Sequence, residues 1–170
     1  MTNYTTLLDS EGEDGRTRII YAYQKPGFIR MDFIHPHRGA RLIFDPIRNR
    51  VTLRPFSTRL ITLNLSPENR LITDQRGHTV DHSDLGALIR SATGYAKEGT
   101  VTLLPPEVVE GLTCPRLMIK SVQGTYQLWV HPKLGLPIKV IKRFSDGSRE
   151  TVFLRNLAVD VPPDSIEFKP

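Results

Sequence analysis

The chain has 170 residues, a net charge of +5 and an isoelectric point near 9.6. That length fits one domain with a real core, and 39% apolar with 24% charged residues excludes disorder and suits a thin, sheet-dominated body. The single cysteine, Cys114, excludes an internal disulfide and a cysteine zinc site, and no run approaches the ~20 apolar residues of a membrane helix.

Met1 is followed at once by Thr2-Asn3-Tyr4 with no signal peptide, so a targeting segment is expected to have been removed. Tyr4 to Asp9 reads as a first strand. Arg18 to Lys25 then alternates, with Ile19, Tyr21 and Tyr23 on one face. Pro26-Gly27 marks a tight turn, and Phe28 to Phe33 puts Ile29, Met31 and Phe33 on one face. Two alternating runs around a turn predict a β-hairpin. Ala40 to Phe44, Arg50 to Arg54 and Arg59 to Leu65 continue the pattern, with Asp45-Pro46-Ile47-Arg48-Asn49 as a turn and Val51 and Leu53 inward.

One segment changes period. Asp81-His82-Ser83-Asp84 supplies N-cap residues, and Leu85, Leu88, Ile89, Ala92 and Tyr95 follow the spacing of one helical stripe. A helix this short needs a surface to rest on, and the sheet is the only one in view. Strands resume over Arg116 to Val122, Tyr126 to His131, Pro137 to Phe144 and Arg149 to Ala158. The short spacings predict antiparallel neighbours, because parallel strands need a crossover of a dozen or more residues. Trp129 has the opposite parity to Leu128 and Val130, which leaves its face open. The fold class is therefore mainly β (α+β), a single domain over residues 1–170 built as a curved antiparallel sheet with one amphipathic helix against it.

No catalytic constellation is legible. His35-Pro36-His37 places two rings at a strand end, but no further metal ligand is named by the sequence, so a plain turn is expected and no metal. His82-Ser83-Asp84 contains triad residue types, yet a triad is a spatial arrangement and not a run. No nucleophile elbow, phosphate loop or zinc-protease motif occurs, so no enzymatic activity and no cofactor are expected. Arg38, Arg41, Arg48, Arg50, Arg54 and Arg59 lie close together against Asp45 alone. Such a cluster can meet phosphates of nucleic acid or of an anionic membrane surface, or can serve as solvent-facing residues that discourage edge pairing. The aromatics Tyr21, Tyr23, Phe33 and Phe44 fall on the apolar faces and not among the arginines, so single-stranded nucleic acid is only an alternative partner.

Several motifs in order resemble a known family. Tyr21-Ala22-Tyr23-Gln24-Lys25-Pro26-Gly27-Phe28-Ile29-Arg30-Met31 resembles the strand–Lys/Arg-Pro–strand signature of the LolA/LolB-like periplasmic lipoprotein-localisation factors. Leu42-Ile43-Phe44-Asp45 and Val51-Thr52-Leu53-Arg54-Pro55-Phe56 are similar to that family's hairpin. Leu128-Trp129-Val130-His131, Leu136-Pro137 and Ile166-Glu167-Phe168-Lys169-Pro170 are similar to its closing strands and terminal Phe-x-Pro. The resemblance covers nearly the whole chain. It implies an open half-barrel of about ten or eleven strands, with helix on the concave side over a hydrophobic cavity for acyl chains. The expected function is a periplasmic protein that carries or accepts lipoproteins or other lipid-tailed ligands, possessing a membrane anchor or only a signal peptide in its full-length form. A lipid- or partner-sensing module of the same fold is the alternative.

The cavity wall is expected at Tyr21, Tyr23, Ile29, Met31, Phe33, Leu42, Phe44, Val51 and Leu53, and the underside of the lid at Leu85, Leu88, Ile89 and Ala92. The same nine wall residues are equally what a filled core would use. Lys25 stands where the family's soluble carrier has an arginine that latches the lid; a lysine donates to carbonyls there without the fork of a guanidinium. The family also has a helix before its first strand, where this chain has the strand from Tyr4.

Overall fold

A computed structural model describes residues 1–13, 15–57, 61–73, 77–162 and 166–168. Strands β1 (Asn3–Gly12), β2 (Gly15–Gln24), β3 (Phe28–His35), β4 (Arg41–Asp45), β5 (Arg50–Arg54) and β6 (Leu63–Leu65) come first. A 3-10 turn (Val80–His82) and helix α1 (Leu85–Lys97) follow, then β7 (Thr100–Val109), β8 (Leu112–Ser121), β9 (Gly124–Val130), β10 (Pro137–Phe144) and β11 (Arg149–Val159). The eleven strands form one open antiparallel sheet in the order β6-β5-β4-β3-β2-β1-β11-β10-β9-β8-β7. The expected mainly-β fold with one α-helix is the fold observed.

The predicted hairpins form where alternation meets a turn signal. Asp45 accepts the Ile47 and Arg48 amides at 2.9 and 3.2 Å, and Asn49 takes the left-handed φ of 47° that closes the β4–β5 turn. The strand from Arg59 is observed only from Leu63, and Arg59 itself lies outside the described residues. β7 is the strand that alternation does not pick out. Val101, Leu103 and Val108 are exposed at 54%, 72% and 64%, so no buried face contrasts with a polar one. Pro105 and Pro106 interrupt it, and its register against β8 slips between Leu104 and Glu107. The prolines are tolerated because β7 ends the sheet, where a missing ladder donor costs little.

The chain divides into two compact units. The first comprises Met1–Leu8, Thr17–Leu85 and Asn156–Pro170; the second comprises Asp9–Arg16 and Gly86–Arg155.

In the first unit, pairing registers align apolar side chains into two rows across five strands. One row runs Tyr21, Met31, Leu42, Leu53, Leu63 and the other Tyr23, Ile29, Phe44, Val51, Leu65. Opposed residues in such ladders are the unit of sheet stabilisation, and burying each large apolar side chain contributes about 1.5–3 kcal/mol. The intervening positions turn to the opposite face and carry Ile20, Asp32, Arg41 and Arg54 in one row and Ala22, Arg30, Ile43, Thr52 and Asn64 in the next.

In the second unit, α1 lies on its own strands. Ala92 packs with Ile119, Tyr126 and Val140, and Leu88, Tyr95, Ala96, Leu128 and Val152 surround them. Tyr95 meets Tyr126 edge-on with centroids 4.7 Å apart, and Ser91 and Tyr126 share a 2.9 Å hydroxyl hydrogen bond. Trp129 takes the other face and is only 2% exposed. There, cross-strand partners alternate aromatic and cationic: Phe153, Lys139, Trp129 and Arg116 occupy one row over β11, β10, β9 and β8. Lys139 Nζ sits 4.1 Å from the Trp129 centroid and the Arg116 guanidinium 5.7 Å from it, which are cation–π distances. Glu107 pairs with Arg116 and, at 3.7 Å, with Lys139. Asp9, 6% exposed, is held bidentately by Arg16 at 3.0 and 2.8 Å.

Candidate functional site

All nine wall residues belong to the first unit, and strand pairing puts them on one face. Tyr21, Ile29, Met31, Leu42, Phe44 and Val51 are buried, and Tyr23, Phe33 and Leu53 are half-buried. Their side chains therefore touch protein rather than solvent in this state. Val80 and Pro67, from the stretch between β6 and α1, are buried in the same unit.

Tyr4 completes this face, and sequence reasoning did not single it out. Its ring stacks with Tyr21 at 5.8 Å and Tyr23 at 5.3 Å between centroids. Its hydroxyl accepts the Leu85 amide at 2.9 Å, and the Tyr21 hydroxyl lies 3.3 Å from Ser83 Oγ. The first turn of a helix has four amides without intrahelical partners; here a tertiary tyrosine satisfies one. Ser83 instead donates to Val80 O at 2.6 Å, inside its own turn. Burial pushes the Tyr4 and Tyr21 hydroxyls well above the ordinary tyrosine range, so both remain protonated donors at any physiological pH. One aromatic in the polar run Tyr4-Thr5-Thr6 shows no alternation, which is why only the three-dimensional stack reveals it.

The lid residues divide. Leu85 ends the Thr17–Leu85 segment of the first unit and is buried; Leu88, Ile89 and Ala92 belong to the second. Leu88 and Ala92 pack on their own unit's cluster, while Ile89 is 42% exposed, off the buried stripe that runs instead through Tyr95 and Ala96. Lys25 is exposed beside Pro26, its amide donates to Thr2 O at 3.0 Å, and its ammonium has no partner among the described residues.

The arginine cluster, contiguous in sequence, separates in space. Arg41 and Arg54 are opposed at one end of the β4–β5 ladder, and Arg48 and Arg50 lie at the other. At about 3.3 Å per residue, Arg50 and Arg54 are roughly 13 Å apart along β5. Arg48 faces Asp45 at 3.8 Å, and Arg38 is exposed in the β3–β4 loop. His37 packs its ring against Phe33 at 6.4 Å, and no three potential ligands gather into a metal site among the described residues. His82 faces Asp81 at 3.1 Å and Thr79 at 3.2 Å, within its own turn.

Solved structures share this antiparallel sheet. MucB bound to MucA from Pseudomonas aeruginosa is 12% identical, matching 100% of this chain and 56% of its own at a TM-score of 0.58. Lipoprotein LppX from Mycobacterium tuberculosis is 9% identical over 95% of this chain and 89% of its own, with a TM-score of 0.51. A LolA superfamily protein from Nitrosomonas europaea also matches, at 13% identity over 99% and 90% of the two chains and a TM-score of 0.45. At these identities the matches are likenesses of fold, carried by MucB and LppX. The chain spans about half the length of MucB. No family model and no curated protein sequence matches it.

Proposed function

We propose that this chain is a non-catalytic binding protein of the cell envelope whose apolar face in the first unit receives a lipid tail, such as a lipoprotein acyl chain. The observation that carries this reading is the pair of five-residue apolar rows from Tyr21 to Leu63 and from Tyr23 to Leu65, backed by Tyr4. Broad apolar faces of this kind are the usual lining of lipid and ligand sites. Because most of these side chains are buried, entry of a tail requires the stretch at Val80, Ser83 and Leu85 to lift, breaking the Tyr4 and Tyr21 hydrogen bonds. Lys25, exposed in the turn between β2 and β3, meets carbonyls or headgroups of the incoming ligand in this reading. A periplasmic location fits a fold shared with MucB and LppX.

Organic extraction of the purified protein followed by mass spectrometry tests it. Bound lipid, or saturable binding of a fluorescent acyl probe that weakens when Met31 or Leu42 becomes glutamine, is expected. An empty protein that also ignores the probe overturns the reading.

A second reading, a module that senses a protein partner, draws on β7. Its exposed Val101, Leu103 and Val108 lie on a sheet-end strand, and MucB is seen in complex with MucA. Nucleic-acid binding has less support, because Arg48 and Arg50 stand at the far end of the ladder from Arg41 and Arg54 and the stacked aromatics lie on the other face.

A further inference from the structure

The face of the first unit opposite the apolar rows carries an unbalanced charge at one point. Asp32, Arg41 and Arg54 are successive partners across β3, β4 and β5. Arg41 and Arg54 stand directly opposite, so their Cβ atoms are about 4.5–5.5 Å apart, and like charges so placed repel. The only carboxylate in the row is fully engaged: Asp32 Oδ1 accepts Arg41 Nε at 2.5 Å and Oδ2 accepts Arg30 Nε at 2.7 Å. Arg30 spends a further donor on Glu167 O at 2.8 Å. Arg54 has no acidic partner among the described residues, and its Nε is buried without an acceptor. A buried guanidinium donor with nothing to bind is costly. Three arginines to one carboxylate, with one donor orphaned, is the arrangement of a site that lacks its anion.

We propose that Arg41 and Arg54 form a seat for a phosphate group, either a free phosphate ester or a phospholipid headgroup. The guanidinium fork matches a tetrahedral oxyanion bidentately, and an anion between the two side chains would relieve their repulsion and supply the missing acceptor. Arg30 and Asp32 act as positioning residues: they hold Arg41 in the row and leave its terminal nitrogens available. This site lies on the face opposite the apolar rows and does not depend on the lipid-tail reading, so either can fail alone.

The test is titration of the intact protein with inorganic phosphate, at constant ionic strength against sodium chloride, while following arginine Nε–H signals by NMR. Two such signals should shift saturably with phosphate and not with chloride, one of them absent in R54Q and the other in R41Q. R54Q should weaken phosphate at least tenfold and R54K less, whereas R50Q, at the far end of the ladder, should leave it unchanged. If R54Q does not fold, R54K and R41K carry the comparison. Glycerol 3-phosphate and vesicles of phosphatidylglycerol, each against phosphatidylcholine vesicles, distinguish the sources. Saturation by the soluble ester supports a free phosphate ligand, and R54Q-sensitive binding to the anionic vesicles alone supports a headgroup. Equal response to phosphate and chloride, equal loss in R50Q and R54Q, or tighter binding of single-stranded RNA that R54Q leaves intact overturns the proposal.

Discussion

Two single side chains concentrate testable consequences. Tyr4 is 1% exposed and gives its hydroxyl oxygen to the first amide of α1. Tyr4→Phe keeps the ring stack but removes the hydroxyl, so the Leu85 amide is stranded in the interior and the Tyr21 hydroxyl loses a hydrogen-bonding neighbour. The expected loss is about 1–3 kcal/mol, the desolvation cost of an unsatisfied buried donor, read from urea unfolding monitored by circular dichroism. A change of under about 0.5 kcal/mol would mean that the amide finds another partner. Glu107 offers a pH test. Loss of solvent raises its carboxyl, but the Trp129 indole, Arg116 and Lys139 more than reverse this, leaving its pKa below the ordinary 4.5. A carboxyl depressed in the folded state contributes stability that is present above its unfolded pKa and lost as pH falls through the folded one. Wild type should therefore exceed Glu107→Gln in stability at pH 7, and the two curves should converge below pH 4.5 as the carboxylate protonates. Parallel curves down to acid pH would mean that Arg116 and Lys139 do not hold the Glu107 carboxylate.

At the level of elements, strands were legible wherever one face was buried and the other wet. The buried Tyr21, Met31 and Val51 alternate with the exposed or half-buried Ile20, Asp32 and Arg50, and a turn signal closes each hairpin. β7 escaped because its large apolar residues are exposed and two prolines break its rhythm; its existence rests on pairing with β8, a non-local fact. The prolines have a further role. An exposed sheet-end strand with Val101 and Leu103 is a template for another strand, and proline withholds the donors that pairing needs. Replacing Pro105 and Pro106 with threonine should raise self-association, seen as a concentration-dependent rise in light scattering, with the fold intact by circular dichroism. An unchanged scattering profile would assign the protection to the neighbouring charges instead. The helix was legible as a stripe, but its resting place was not. Ile89 and Ala92 looked equivalent in sequence, and only the position of Ile119, Tyr126 and Val140 decides that Ala92 is buried and Ile89 is not.

Over the whole molecule, the order of strands and turns was enough to suggest the fold, because antiparallel neighbours joined by short turns leave few topologies. The division into two units was not legible, since it cuts β1, β2 and β11 and falls between Leu85 and Gly86 with no linker composition to mark it. The arginine cluster shows the same limit at shorter range: a strand's length separates residues that a sequence window groups together. For the candidate site, alternation put the nine residues proposed as a wall on one face but could not tell which of their contacts are permanent packing and which give way to a ligand.

The two faces of the first unit have a bearing on how this chain can change over evolutionary time. Apolar rows and arginine row are interleaved on the same strands, one residue apart. Inserting or deleting a single residue within β4 or β5 would turn Leu42, Phe44 or Val51 outward and drive an arginine into the interior. Length changes inside these strands are admissible only in pairs, whereas the turns can absorb any number. A lineage of such proteins should therefore vary in its loops while the parity of its strands stays locked.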